Sequence, residues 1–142
     1  MDPIQEMLGS HPQKPGRHFD VIAQVIRCCY ECAQVCLSCA DACLAEEKVA
    51  DLRECIRLDL DCADICSATG RLVTRQARPD SELWRATLEA CIQACRSCAA
   101  ECARHEDRYE HCRICREACE RCADACQQAL SAYPEGGAEA SH

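Results

Sequence analysis

Bulky apolar side chains are scarce in this sequence. It has one Phe and one Trp in 142 residues, and aromatic residues make up only 4% of the chain. A core built mainly from large rings would therefore be thin. No alternating apolar–polar run bounded by turn residues is present, so strands have no signal. No apolar run approaches the about 20 residues needed to span a bilayer. No N-terminal segment combines a basic head, an apolar stretch and a small-residue cleavage site. The expectation is a cytoplasmic chain with no membrane partner and with reduced thiols. Positive charge is also in deficit, with 16 Lys and Arg against 24 Asp and Glu and a net charge of −8. That balance disfavours nucleic acid as a partner.

What the sequence has in excess is cysteine, at 18 of 142 residues. From Cys29 the thiols recur at Cys32, Cys36, Cys39 and Cys43, with Cys28 just before them. Steps of three and four mark one stripe of an α-helix. At 1.5 Å per residue, Cys28 to Cys43 covers ~22 Å. The device recurs three times: Cys55, Cys62 and Cys66; Cys91, Cys95, Cys98 and Cys102; and Cys112, Cys115, Cys119, Cys122 and Cys126.

The breaks between ladders define four predicted helices. The first runs from about His18 to Ala45 and is followed by the polar Glu46-Glu47-Lys48. Asp51 with Glu54 resembles a capping box opening the second, which reaches about Ala77 with Gly70 as a weak point. Arg78-Pro79-Asp80-Ser81 is a break that supplies the next N-cap. The third helix reaches about His105. Asp107 and Glu110 open the fourth, which ends near Tyr133. Residues 1–17 read as a mostly irregular arm with one helical turn around Ile4 to Leu8. Residues 134–142 read as a disordered tail. Four helices of similar length with short connections predict an all-α, up-down-up-down four-helix bundle over residues 18–133. All four cysteine stripes then face one shared interior.

Small hydrophobic packing explains one or two buried cysteines, not four registered ladders. Disulfides within a helix are strained, because Cβ atoms at i and i+4 lie about 5–6 Å apart and a disulfide needs about 3.8 Å. Bridges between helices are possible on oxidation, but the compartment is expected to be reducing. Metal binding is the remaining reading. Soft thiolates favour Cu(I), with zinc and iron–sulfur clusters as competitors. Structural zinc takes discrete tetrahedral sets of four ligands, which a continuous stripe does not supply. Cu(I) shares bridging sulfurs, and each ion replaces one thiol proton without changing the net charge. Cys29, Cys32, Cys36 and Cys39 superficially resemble a ferredoxin run, but no proline follows and the intervening residues suit a helix. A zinc–thiolate store and an iron–sulfur electron-transfer protein stay open as alternatives.

The stripes end differently. On one side lie Cys43, Cys55, Cys102 and Cys112, and beyond them Glu46, Glu47, Asp51, His105, Glu106, Asp107 and His111. On the other, Ile22, Val25, Leu72, Val73, Trp84, Leu88, Leu130 and Tyr133 continue the stripes. The first end is expected to be an entrance and the second an apolar plug. His105 and His111 are candidate first ligands. Asp59 and Leu58 compete for one inward position. Tyr30, Ala33, Leu37, Ala40 and Leu44 form a second apolar stripe, expected to be exposed and to contact another subunit.

Together the four ladders, the repeated C-x-x-x-C, the short turns and the histidines at one end resemble the bacterial copper storage proteins, cytosolic branch. The resemblance spans residues 18–133. It implies a non-enzymatic four-helix bundle that stores multiple Cu(I) ions per monomer, filled from one end and assembled as a homotetramer. It carries over the 18 cysteines as metal ligands, with His105 and His111 at the mouth. A copper chaperone or a small thiol carrier would be the loading partner.

Overall fold

The computed structural model describes residues 2–132, and in these the regular structure is entirely helical. The chain forms α1 (Pro3–Ser10), α2 (Phe19–Leu44), α3 (Arg53–Thr74), α4 (Ser81–Ala103) and α5 (Glu110–Ala132). The tail at 134–142 and Tyr133 lie outside the described residues.

The N-terminal arm holds more helix than the sequence suggests. Asp2 and Gln5 form a reciprocal capping box, and Pro3 occupies a first-turn position where its missing N–H costs nothing. The result is two turns rather than one. Leu8 is buried, and α1 packs on α2, to which Asp2 is tied by an ion pair with Arg27. Gly16 then turns the chain with φ 65°, a left-handed value that suits glycine, into a short 3₁₀ turn, Gly16–His18.

Two helix starts depart from their sequence signals. Asp51 does not cap α3. A 3₁₀ turn, Val49–Leu52, runs straight into the helix, and the Asp51 N–H donates to the Lys48 carbonyl. Glu54 instead pairs with Arg57 at 2.6 Å. Asp107 likewise lies in the turn before α5, and Glu110, the first residue of α5, pairs with Arg113 at 2.5 Å. A basic residue three positions on competes for the carboxylate that a capping box would use. Asp80 behaves as expected, and its side chain accepts from the Leu83 N–H at 3.1 Å. α3 stops at Thr74, three residues short of expectation, because Arg75 is extended and Gln76 Nε2 caps the Val73 carbonyl at 2.7 Å.

α2 packs chiefly on α3 and α5, and α4 packs on the same two helices. Cross-helix sulfur pairs show the directions. Cys29 meets Cys122 while Cys36 meets Cys115, and Cys66 meets Cys91 while Cys55 meets Cys102. Both pairs of helices are therefore antiparallel.

By length and composition alone, the helical stretch Gly16–Leu44 contains a segment apolar enough to cross a membrane, yet half of that segment is buried inside the molecule. Its six cysteines raise the hydropathy, and all of them are buried, together with Ile22, Val25, Ile26, Ala23, Ala33 and Ala40. The second apolar stripe on α2 also divides. Tyr30, Leu37 and Leu44 are exposed, whereas Ala33 and Ala40 are buried. α2 is flanked by two helices, so its buried arc is wider than the thiol stripe alone.

Candidate metal centre

Every cysteine is buried, and all 18 are free thiols. Across helices, Cys32 Sγ lies 3.9 Å from Cys62 and 3.8 Å from Cys119. Cys66 Sγ lies 3.8 Å from Cys91, 3.6 Å from Cys95 and 3.8 Å from Cys122. Within one helix, Cys32 and Cys36 are 3.8 Å apart, as are Cys62 and Cys66. Two sulfurs on one ion, each bonded at about 2.3 Å, lie at most ~4.6 Å apart. The observed separations fall inside that limit. They are far longer than the ~2.05 Å of a disulfide.

The thiols group into sets whose sulfurs all lie within 4.8 Å of one another: Cys29, Cys91, Cys122 and Cys126; Cys32, Cys66, Cys95 and Cys122; Cys32, Cys36, Cys62 and Cys119; and Cys36, Cys98, Cys115 and Cys119. The sets share members. Cys32, Cys36, Cys119 and Cys122 each belong to two of them. Four-thiolate sites that shared sulfurs in this way could not all be filled as separate tetrahedral centres, so the donor set fits a metal that accepts bridging thiolates.

At Cys28 the Gln24 Nε2 donates to the sulfur at 3.5 Å. Burial, then the neighbouring charges of Cys122 and Glu31, push its thiol up to about 11.

Asp59 takes the inward position for which Leu58 competed. It is fully buried, while Leu58 is only partly so. Thiols surround its carboxyl: Cys98 donates to Oδ1 at 3.0 Å, Cys115 at 3.3 Å and Cys102 at 3.8 Å, while Cys55 reaches Oδ2 at 3.9 Å. Burial, followed by the prospective charges of Cys115 and Cys98, pushes Asp59 up to about 12. The carboxyl is thus held neutral. Thr69, the other polar residue on the α3 stripe, spends its hydroxyl locally on the Ile65 carbonyl at 2.7 Å.

One further set includes an imidazole: Cys39, Cys43, Cys112 and His111. His111 Nδ1 lies 3.5 Å from Cys39 Sγ, 3.7 Å from Cys112 and 4.0 Å from Cys43. Its side chain is 23% exposed, whereas the three thiols are 0–2% exposed. His111 therefore touches both solvent and the thiols. His105, by contrast, is buried, and its Nδ1 has no hydrogen-bond partner. The structure brings His111 to the ladders and does not bring His105 into hydrogen-bond contact with them.

Three residues at this end escape the cysteine pattern. Glu46 accepts from His111 Nε2 at 2.9 Å. Glu101 accepts from His105 Nε2 at 2.9 Å, a pairing that its i,i+4 spacing could have signalled. Tyr109 stacks on the His111 ring, with centroids 5.6 Å apart.

Comparison with known proteins bears on the metal. No curated protein sequence matches the chain. Among solved structures, the copper storage protein Ccsp from Streptomyces lividans, loaded with 10 copper equivalents, is 46% identical with a TM-score of 0.88. The match covers 90% of this chain and 98% of that one. A second structure, described as a cytosolic copper storage protein from Streptomyces lividans with five coppers, is 50% identical with a TM-score of 0.78, covering 79% and 93%. The family model described as copper storage protein matches residues 19–131. The chain belongs to the copper storage protein family.

Proposed function

We propose that this chain is a cytosolic, non-enzymatic store that binds many Cu(I) ions through its buried thiolates. Its scaffold is read as an up-down-up-down four-helix bundle made by α2 to α5, Phe19 to Ala132, assembled as a homotetramer. The 18 cysteines are its ligands, and His111, with His105 nearby, receives the metal. The relatives named for copper storage support the metal and the compartment.

The carrying observation is the sharing of sulfurs between adjacent sets. Each Cu(I) that displaces a thiol proton leaves the interior uncharged, and a sulfur that bridges two ions lets loading continue along a ladder. Zinc would need one thiol in each set to be released by its neighbour. An iron–sulfur cluster would need room for inorganic sulfide among thiols that lie within 4.8 Å of each other. The fully buried thiols also explain how such a store would keep bound copper from other proteins.

Anaerobic titration of the reduced chain with Cu(I) against a competing chelator tests this reading. Binding should continue to about one Cu(I) per thiol, where charge is balanced. Saturation at about four ions, the number of separate four-thiolate sites that the ladders could supply, would favour zinc and overturn it.

A further inference from the structure

Both mouth histidines carry a carboxylate on the same nitrogen. His111 Nε2 meets Glu46 Oε2 at 2.9 Å, and His105 Nε2 meets Glu101 Oε2 at 2.9 Å. The two carboxylates come from different places. Glu46 lies on the connection after α2, 65 residues from His111, and Glu101 lies near the end of α4, four residues before His105 in the turn that follows. Glu101 is itself fixed, because Arg104 donates to its other oxygen at 2.9 Å.

An ionised carboxylate can only accept, so the nitrogen facing it must donate. A neutral imidazole with its proton on Nε2 keeps the lone pair on Nδ1. At His111 that lone pair points at Cys39, Cys112 and Cys43. At His105 the corresponding nitrogen is buried and unpartnered. Leaving a buried polar atom unpaired is unfavourable, and the Glu101 bond holds the ring in that position. A histidine as exposed as His111 would otherwise sample rotamers that swing Nδ1 into water.

We propose that Glu46 and Glu101 are positioning residues for metal uptake: each fixes a mouth imidazole through Nε2–H and so presents Nδ1 as a ready lone pair. At His111 the presented nitrogen and three thiols form a first mixed nitrogen–sulfur stop for a soft monovalent cation. The Nε2 proton stays on the carboxylate bond throughout, so the nitrogen binds without losing a proton. Outer partners of this kind set ring orientation and raise ligand basicity. The inference rests on the copper-storage reading, with Glu46 acting through His111 rather than on the metal.

The test uses the full reduced chain and Cu(I) delivered from a weak complex in a stopped-flow instrument. Glu46→Ala should slow the first uptake phase about 10- to 100-fold. Glu46→Gln, whose side-chain carbonyl still accepts from Nε2–H, should recover most of that rate. In a His111→Ala background, Glu46→Ala should slow uptake no further. Glu101→Gln should behave toward His105 as Glu46→Gln does toward His111. Long-range proton–nitrogen NMR of the metal-free chain supplies a second readout that a purely structural role would not move. Wild-type His111 should show an unprotonated Nδ1, and Glu46→Ala should shift it toward the averaged value of a free ring. A wild-type rate in Glu46→Ala, or equal slowing with and without His111, would overturn the proposal. So would a protonated His111 Nδ1 in the wild type. Failure of the wild type to take up many Cu(I) ions would instead sink the storage reading, and the NMR measurement would still decide the positioning role.

Discussion

The two ends of the thiol-lined interior share one scaffold and differ in chemistry. At the end where α2 and α4 begin, Ile22, Val25, Val73, Trp84, Leu88 and Leu130 are buried and close the stripes with apolar bulk. At the end where α3 and α5 begin, the stripes run into Glu46, Glu101, His105 and His111, which are bonded to one another in carboxylate–imidazole pairs. The half beneath this second end also holds the buried carboxyl, Asp59. The half beneath the plug has Thr69, whose hydroxyl is satisfied by its own helix. Cysteine lines both halves alike. On the storage reading proposed above, the residues around the cysteines make one end a seal and the other a receiving site.

If Asp59 is the polar weak point of the receiving half, metal-free stability should depend on pH. Its folded value, pushed up to about 12, exceeds its ordinary value of 3.8. The folded state therefore binds the extra proton between those limits, and stability present at low pH is lost as pH rises. The groups facing it are the thiols of Cys55 on its own helix, Cys98 and Cys102 on α4, and Cys115 on α5. Between pH 5 and pH 8 the loss should approach about 1.4 kcal/mol per pH unit. Urea unfolding of reduced, metal-free protein checks this. Asp59→Asn should flatten the dependence, and an unchanged slope would remove Asp59 as its source.

At the sealed end the expected cost is one of packing. Leu88 is almost fully buried, so Leu88→Ala should destabilise by about 2–5 kcal/mol through lost burial and a cavity. Its Cu(I) uptake rate under native conditions should stay near that of the wild type. A rate that changes sharply with Leu88→Ala would mean that the plug is the way in.

The reverse pattern is expected at the receiving end. His105→Ala with His111→Ala should slow uptake, and removal by a small chelator, by about tenfold or more, the scale of a lost ligand support. Stopped-flow kinetics from a weak Cu(I) complex would show it, and wild-type rates would break the comparison between the ends.

A smaller effect concerns helix formation itself. Ala, Leu, Glu and Arg, all strong helix formers, are frequent in the long helices, and neutral thiols pack as small hydrophobes. Far-UV circular dichroism of the metal-free, reduced chain should already be strongly helical and change little on loading. A coil spectrum that becomes helical only with Cu(I) would mean that metal drives folding.

The ladders were legible because a period of three and four needs no tertiary information. Their meeting in one interior followed from helix length and short connections. The departures have local physical causes. Asp51 and Glu54 match a capping box by spacing, but Arg57 takes the Glu54 carboxylate and a 3₁₀ turn starts the helix early. Leu58 and Asp59 are neighbours in sequence and both fall near the inward stripe. Only the thiols arriving from α4 and α5 explain why the carboxyl goes in. Glu46 could not have been assigned to His111 from sequence, because the pairing depends on how the connection after α2 folds over the start of α5.

Sulfur sharing is the claim on which the storage account stands, and X-ray absorption at the copper edge of the fully loaded, reduced chain tests it most directly. Each Cu(I) should show about two or three sulfurs, with other copper ions as near neighbours because thiolates bridge. Isolated ions with four sulfurs each and no metal neighbour would contradict it.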